Sequence, residues 1–169
     1  SQQGLCSRRE ADSYIERGWV YVDGVRITEL GTRIDPAQKI TLDRHAEAKQ
    51  QQRATLLLHK PVGYVSAQPE KGYHAAVELI TPGHQWKEDQ TQAFSATLLR
   101  GLAPAGRLDI DSTGLLVLTQ DGRIAKQLIG EDAGMEKEYL VRVEGHLSDA
   151  QLRLLNHGLS LDGVALKPA

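Results

Sequence analysis

Two residues of opposite charge, Arg107 and Asp109, stand two positions apart in the run GRLDIDSTGLLVLTQDG, from Gly106 to Gly122. In an extended segment this spacing sends both side chains off the same face. The turn signal Asp111-Ser112-Thr113-Gly114 follows, and Leu115, Leu116, Val117 and Leu118 then read as a strand covered on both faces. On this reading the charged pair is buried beside an apolar strand, and a carboxylate at the mouth of such a core is a candidate nucleophile. The same spacing also serves a structural ion pair or a turn cap, the commoner role of Arg-x-Asp before a turn.

The elements that must position this pair fall into two blocks. Ser7 with Glu10 forms a capping box, Ala11, Tyr14 and Ile15 recur at helical spacing, and Gly18 suits a left-handed stop. WVYVDGVRI reads as a hairpin whose Asp23-Gly24 pair favours a primed turn, and Lys39–Leu42 supplies a further short strand. Residues 44–54, rich in glutamine and charge, carry no hydrophobic face and read as a linker or loose helix. The expected organisation is therefore a domain at 1–43, a linker at 44–54 and a second domain at 55–169.

In the second block Thr55 opens a buried strand, LLLHK, that runs into Pro61 and Gly63. Residues 84–105 are polar and irregular around Trp86, as a surface loop would be. Asp121 caps a helix from Arg123 to Ile129 that Gly130 ends. Lys137–Val143 reads as a strand, and Ser148 with Gln151 opens a helix that stops at Gly158. The mixture implies an α+β fold: a small helix-and-sheet domain, then a mixed, largely antiparallel sheet with flanking helices.

Composition narrows the chemistry. Twenty basic and 22 acidic side chains leave a net charge of −2, so any polyanion is held by a local patch; residues 1–44 carry seven of each sign. One cysteine excludes a disulfide framework, and six histidines lack metal-ligand spacing. No phosphate loop or dinucleotide fingerprint occurs, which points to chemistry without metal or cofactor. No apolar run suits a membrane span or a secretory leader, so the expectation is a cytoplasmic protein without membrane contact. No second carboxylate is placed for paired acid/base work, which disfavours a sugar-bond hydrolase.

The run Gly106, Arg107, Leu108, Asp109, Thr113, Gly114, Leu115, Leu116, Thr119 and Gly122 resembles the catalytic motif of pseudouridine synthases, in the RsuA-type ribosomal-RNA branch. Gly4, Leu5, Cys6, Ser7, Arg8, Arg9, Glu10, Ala11, Asp12, Ile15, Gly18, Val20, Val22 and Gly24 resemble the signature of the S4 RNA-binding module. The resemblance implies that Asp109 is the catalytic carboxylate, attacking the anomeric carbon or removing the C2′ proton of the target uridine. It implies that Tyr139, in Lys137-Glu138-Tyr139, stacks on the detached uracil and assists proton removal at C5. Arg107 would reach toward RNA, with pairing to Asp109 or Asp111 as the competing role.

Arg8 and Arg9 would meet RNA phosphates at a helix start. Lys60 lies in a segment similar to the family's L-N-K-P-x-G, with His59 in place of Asn, and would approach either the cleft or the RNA backbone. The partner implied is structured RNA, ribosomal or transfer, handled by a monomer. The competing reading is a non-catalytic S4-domain RNA-binding or ribosome-assembly protein. The family pattern also continues past Leu166-Lys167-Pro168 into a strand and a basic motif, so the cation that balances the catalytic carboxylate is expected beyond residue 169.

Overall fold

The computed structural model describes residues 3–69, 72–89, 91, 93–130 and 133–166. Ser1, Gln2 and Lys167–Ala169, on which the readings of the chain's ends fall, lie outside them. The chain divides into two units, Ser1–Met135 and Glu136–Ala169.

The first unit opens with helix α1 (Arg8–Glu16), capped at Ser7, whose backbone N–H donates to the Glu10 carboxylate at 2.8 Å. Gly18, at φ +67°, turns the chain out of the helix into strand β1 (Val20–Val22), which pairs antiparallel with β2 (Val25–Ile27). Asp23 and Gly24 both take positive φ, 48° and 81°, as a type I′ turn requires. Strand β3 (Ile40–Leu42) completes the sheet in the order β2-β1-β3.

Helix α2 (Arg44–Gln51), capped by Asp43, then packs onto that sheet. Of the two readings of this segment, linker or loose helix, residues 44–51 take the helical one. Ala46 is fully buried in one cluster with Cys6, Tyr14 and Val20, with Trp19, Ile40 and Leu42 around it. A single small side chain suffices because the helix lies close to the sheet, and periodicity cannot register a face one alanine wide.

Strand β4 (Thr55–Lys60) follows, then the short parallel pair β5 (Tyr64–Val65) and β6 (His74–Ala75). A 3-10 turn at Ala96–Leu99, capped by Ser95, buries Leu98 and gives the 84–105 segment an anchor. Strand β7 (Ala103–Pro104) and strand β8 (Gly114–Thr119) complete an antiparallel sheet in the order β4-β8-β7, with Lys60 opposite Gly114 and Thr55 opposite Thr119. Leu116, Leu118 and Ala76 form its core with Leu56, Leu58 and Leu108 against them. Each such aliphatic side chain withdrawn from water contributes about 1.5–3 kcal/mol.

Only one face of β8 is closed, however: Leu115 is 66% exposed and Leu57, beside it on β4, 73%. The expected two-sided burial of β4 and β8 does not hold, because no layer among the described residues of this unit covers the second face. Helix α3 (Gly122–Ile129) ends the core of the unit, with Asp121 as its N-cap and Gly130 just past its last turn.

In the second unit Ser148 caps helix α4 (Asp149–Leu155), and β9 (Ser160–Leu161) pairs with β10 (Val164–Ala165) across Asp162-Gly163. No strand forms at 137–143, where Leu140 is 97% exposed. The β-prone residues there find no ladder partner among the described residues, and propensity alone does not make a strand. No helix among the described residues is long and apolar enough to cross a membrane.

Candidate active site

The loop 105–113 joins β7 to β8 and carries Arg107 and Asp109. Residues 107–109 form no strand, and burial alternates: Leu108 packs against the sheet core while Arg107 and Asp109 are exposed on either side of it. The burial read for the pair is not present, since the residue committed to the core is the leucine between the two charges. No ion pair joins Arg107 to Asp109 among the described residues, so the local salt bridge that competed for this motif is not formed.

Three segments of the β4–β5 region hold the loop by its backbone. The Ser66 hydroxyl accepts the Leu108 N–H at 2.9 Å and donates to the Leu108 carbonyl at 2.7 Å. Gly63 N–H donates to the Ile110 carbonyl at 2.8 Å. At the far side Thr113 Oγ1 donates to the Lys60 carbonyl at 2.8 Å, and the Ser112 N–H closes a turn on the Asp109 carbonyl at 3.1 Å. The Asp109 backbone is thereby fixed on both sides while its carboxylate makes no hydrogen bond or ion pair among the described residues. A carboxylate held in this manner is free to act on a ligand.

Lys60 is the correction within the expected site. Its side chain is fully buried, and Nζ donates to the carbonyls of Pro61 and Ser112, each at 2.9 Å. An ammonium enclosed by protein carbonyls is not placed to contact an RNA backbone, the role expected for Lys60. Burial pushes its pKa down, and the charges of Asp111 and Asp109 act in the opposite direction. Lys60 therefore braces the turn from beneath and supplies positive potential under the two aspartates. Register puts it there: Lys60 is the last residue of β4 and faces Gly114, where the loop re-enters the sheet.

Ser66 and Gly63 escaped sequence reasoning. The Ser66–Leu108 contact spans 42 positions, and no local pattern carries such a pairing. Arg8 and Arg9 are exposed in the first turn of α1, as phosphate contact requires. Tyr139 lies in the second unit, 62% exposed in a stretch without helix or strand. Among the described residues no three His, Cys, Asp or Glu side chains gather as a metal site would require. A groove of 1330 Å³ runs along the free edge of β4, lined by Leu57, His59, Trp86 and Leu115 among others; Asp109 is not part of it.

Comparison with known proteins adds an independent set of observations. Residues 54–160 match the family described as RNA pseudouridylate synthase, and residues 1–40 match the S4 domain. The chain is 37% identical over 175 aligned residues to ribosomal large subunit pseudouridine synthase B of Escherichia coli K12, covering 98% of this chain and 54% of that protein. It is 31% identical to the protein of the same name from Bacillus subtilis, with 98% and 62% covered. It is also 31% identical to the dual-specificity RNA pseudouridine synthase RluF of Escherichia coli O6:H1, with 99% and 52% covered. The chain thus spans about half the length of the curated relatives it matches. A solved structure titled as that of a pseudouridylate synthase shares the fold, with a TM-score of 0.56 at 23% identity over 96% of this chain and 65% of that one.

Proposed function

Because this chain belongs to the RNA pseudouridylate synthase family and carries an S4 domain, we propose that it isomerises a uridine of structured RNA to pseudouridine with Asp109 as the catalytic carboxylate. The observation that carries this reading is the loop around Asp109, whose backbone is clamped through Leu108, Ile110 and Ser112 while the carboxylate itself has no partner among the described residues. Clamping of this kind preorganises a reacting group and removes the cost of ordering it at the moment of reaction.

The isomerisation breaks the N1–C1′ bond, turns the uracil, forms a C5–C1′ bond, and moves the C5 proton away as N1 gains one. Asp109 serves the first stage by attacking C1′ or by taking the C2′ proton, and both roles need an ionised carboxylate. Tyr139 is assigned the stacking and C5 proton-removal roles; an aromatic face returns about 1–3 kcal/mol of the stacking a flipped base gives up. Arg107 and Arg8 with Arg9 are assigned to the RNA, and the large-subunit names of the relatives make ribosomal RNA the favoured target. Such a protein works in the cytoplasm as a monomer.

Carbodiimide labelling of ribosomal RNA tests the assignment. The protein expressed at its full natural length creates a labelled position, and the Asp109→Asn variant does not. Equal labelling by both contradicts the role of Asp109. RNA affinity without any labelling by either returns the chain to the non-catalytic RNA-binding reading.

A further inference from the structure

The junction between the S4 module and the synthase sheet is a buried cluster of charges. Arg53, just before β4, donates Nη2 to Tyr14 Oη at 2.9 Å, is ion-paired with Glu10, and places Nη1 3.4 Å from Asp121 Oδ1. The side chains of Arg53, Glu10 and Asp121 are only 10%, 18% and 7% exposed. Arg123 grips the same carboxylate, with Nη2 2.6 Å from Oδ2, and reaches Gln50 at 3.2 Å; Gln50 in turn donates to the Leu5 carbonyl at 2.8 Å. The backbones also meet: a Cβ added at Gly122 would stand 2.6 Å from Ser7 Cβ. The contact therefore joins the N-cap of α1 to the first residue of α3.

This placement has a metric consequence. Arg8 and Arg9 directly follow the Ser7 contact, and the Asp109 loop lies at the other end of β8. Six strand residues separate the two ends, about 20 Å at ~3.3 Å per residue. A flexible tether would only raise the local concentration of RNA at the site. A packed junction instead fixes a distance.

We propose that Arg53, Asp121 and the Ser7–Gly122 contact form a latch that holds the Arg8–Arg9 turn in register with the Asp109 loop. They are positioning residues that select RNAs presenting phosphates at a set distance from the target uridine. The proposal rests on the pseudouridine synthase reading above.

Gly122→Ala wedges the latch without touching its charges, since the position is the first residue of α3 and alanine suits that backbone. Ser7→Gly removes the opposing Cβ while glycine stays acceptable as an N-cap. The two single variants and the double variant are made in the protein at full natural length. Nitroxide pairs at Glu29→Cys and Lys126→Cys report the distance between module and sheet; buried Cys6 stays unlabelled. A ribosomal RNA transcript reports KM and kcat.

The latch is supported if Gly122→Ala broadens the distance distribution and raises KM about tenfold with kcat within twofold, and if adding Ser7→Gly restores both. It is overturned if Gly122→Ala leaves the distribution narrow, if kcat falls with KM unchanged, or if the double variant fails to recover. A parent protein with a narrow distribution that forms no pseudouridine overturns the functional reading and leaves the junction itself standing.

Discussion

Asp109 and Asp121 sit just outside opposite ends of β8, and their surroundings are opposite in kind. Asp121 is 5% exposed, accepts from the Arg123 side chain and backbone, and faces Arg53. Asp109 is exposed, with a fixed backbone and a carboxylate that has no partner among the described residues. One carboxylate is consumed by the fold and the other is kept from it. The residue type and its closeness to an arginine are the same in both places, so what separates the two is whether protein donors reach the oxygens.

The largest effect should come from the consumed carboxylate's side. Arg53→Met leaves Glu10 and Asp121 facing each other in a nearly dry junction, and loss of one partner from a buried pair costs about 3 kcal/mol or more. Urea unfolding should show that shift, whereas Asp109→Asn should stay within about 0.5 kcal/mol of the parent, as at an exposed position. A comparable loss at Asp109 would break the comparison.

Lys60→Met comes next. It removes the donor from two carbonyls, at Pro61 and Ser112, at a cost of about 1–3 kcal/mol, and should loosen the Asp109 turn as read by faster amide exchange at Ser112. An unchanged or raised stability would mean that the ammonium is not the brace.

The acid limb is smaller. The Arg123 hydrogen bonds, first among the causes, hold Asp121 below the usual carboxylate range. Between its folded value and about 3.9 the unfolded chain binds more protons, so stability falls as pH falls, by about 1.4 kcal/mol per pH unit for one group. Above that range the contribution is complete. Asp121→Asn should flatten the acid limb.

Arg8→Ala and Arg9→Ala should leave the unfolding free energy measured in urea within about 0.5 kcal/mol of the parent. Each should lower the salt dependence of RNA binding by about 0.7–0.9 in the log–log slope. Unaltered salt dependence would remove these residues from the RNA surface.

What the sequence made legible was local. The Ser7 cap, the Asp23-Gly24 turn, the Asp121 cap and the Ser148 cap each depend on residues within a few positions, and each is present. The Asp162-Gly163 turn, with φ values of 50° and 78°, offered the same signal as Asp23-Gly24 and was readable, though the short strands beside it were overlooked. Long-range facts were not legible. The burial of Lys60 depends on a register set across the sheet, the packing of α2 turns on one alanine, and strand formation at 137–143 needed a neighbour that sequence cannot supply. In the candidate site the identity of Asp109 came from the motif, while its clamp by Ser66 came from the fold alone.

The central claim is that the two aspartates have exchanged no part of their roles. The most direct measurement is the pseudouridine formed on ribosomal RNA per folded molecule, compared among the parent, Asp109→Asn and Asp121→Asn at full natural length. The expected result is a fall of about 10²–10⁴-fold for Asp109→Asn with an unaltered urea midpoint, and a lowered midpoint with far less loss per folded molecule for Asp121→Asn. Product formation by Asp109→Asn at the parental rate would contradict the account.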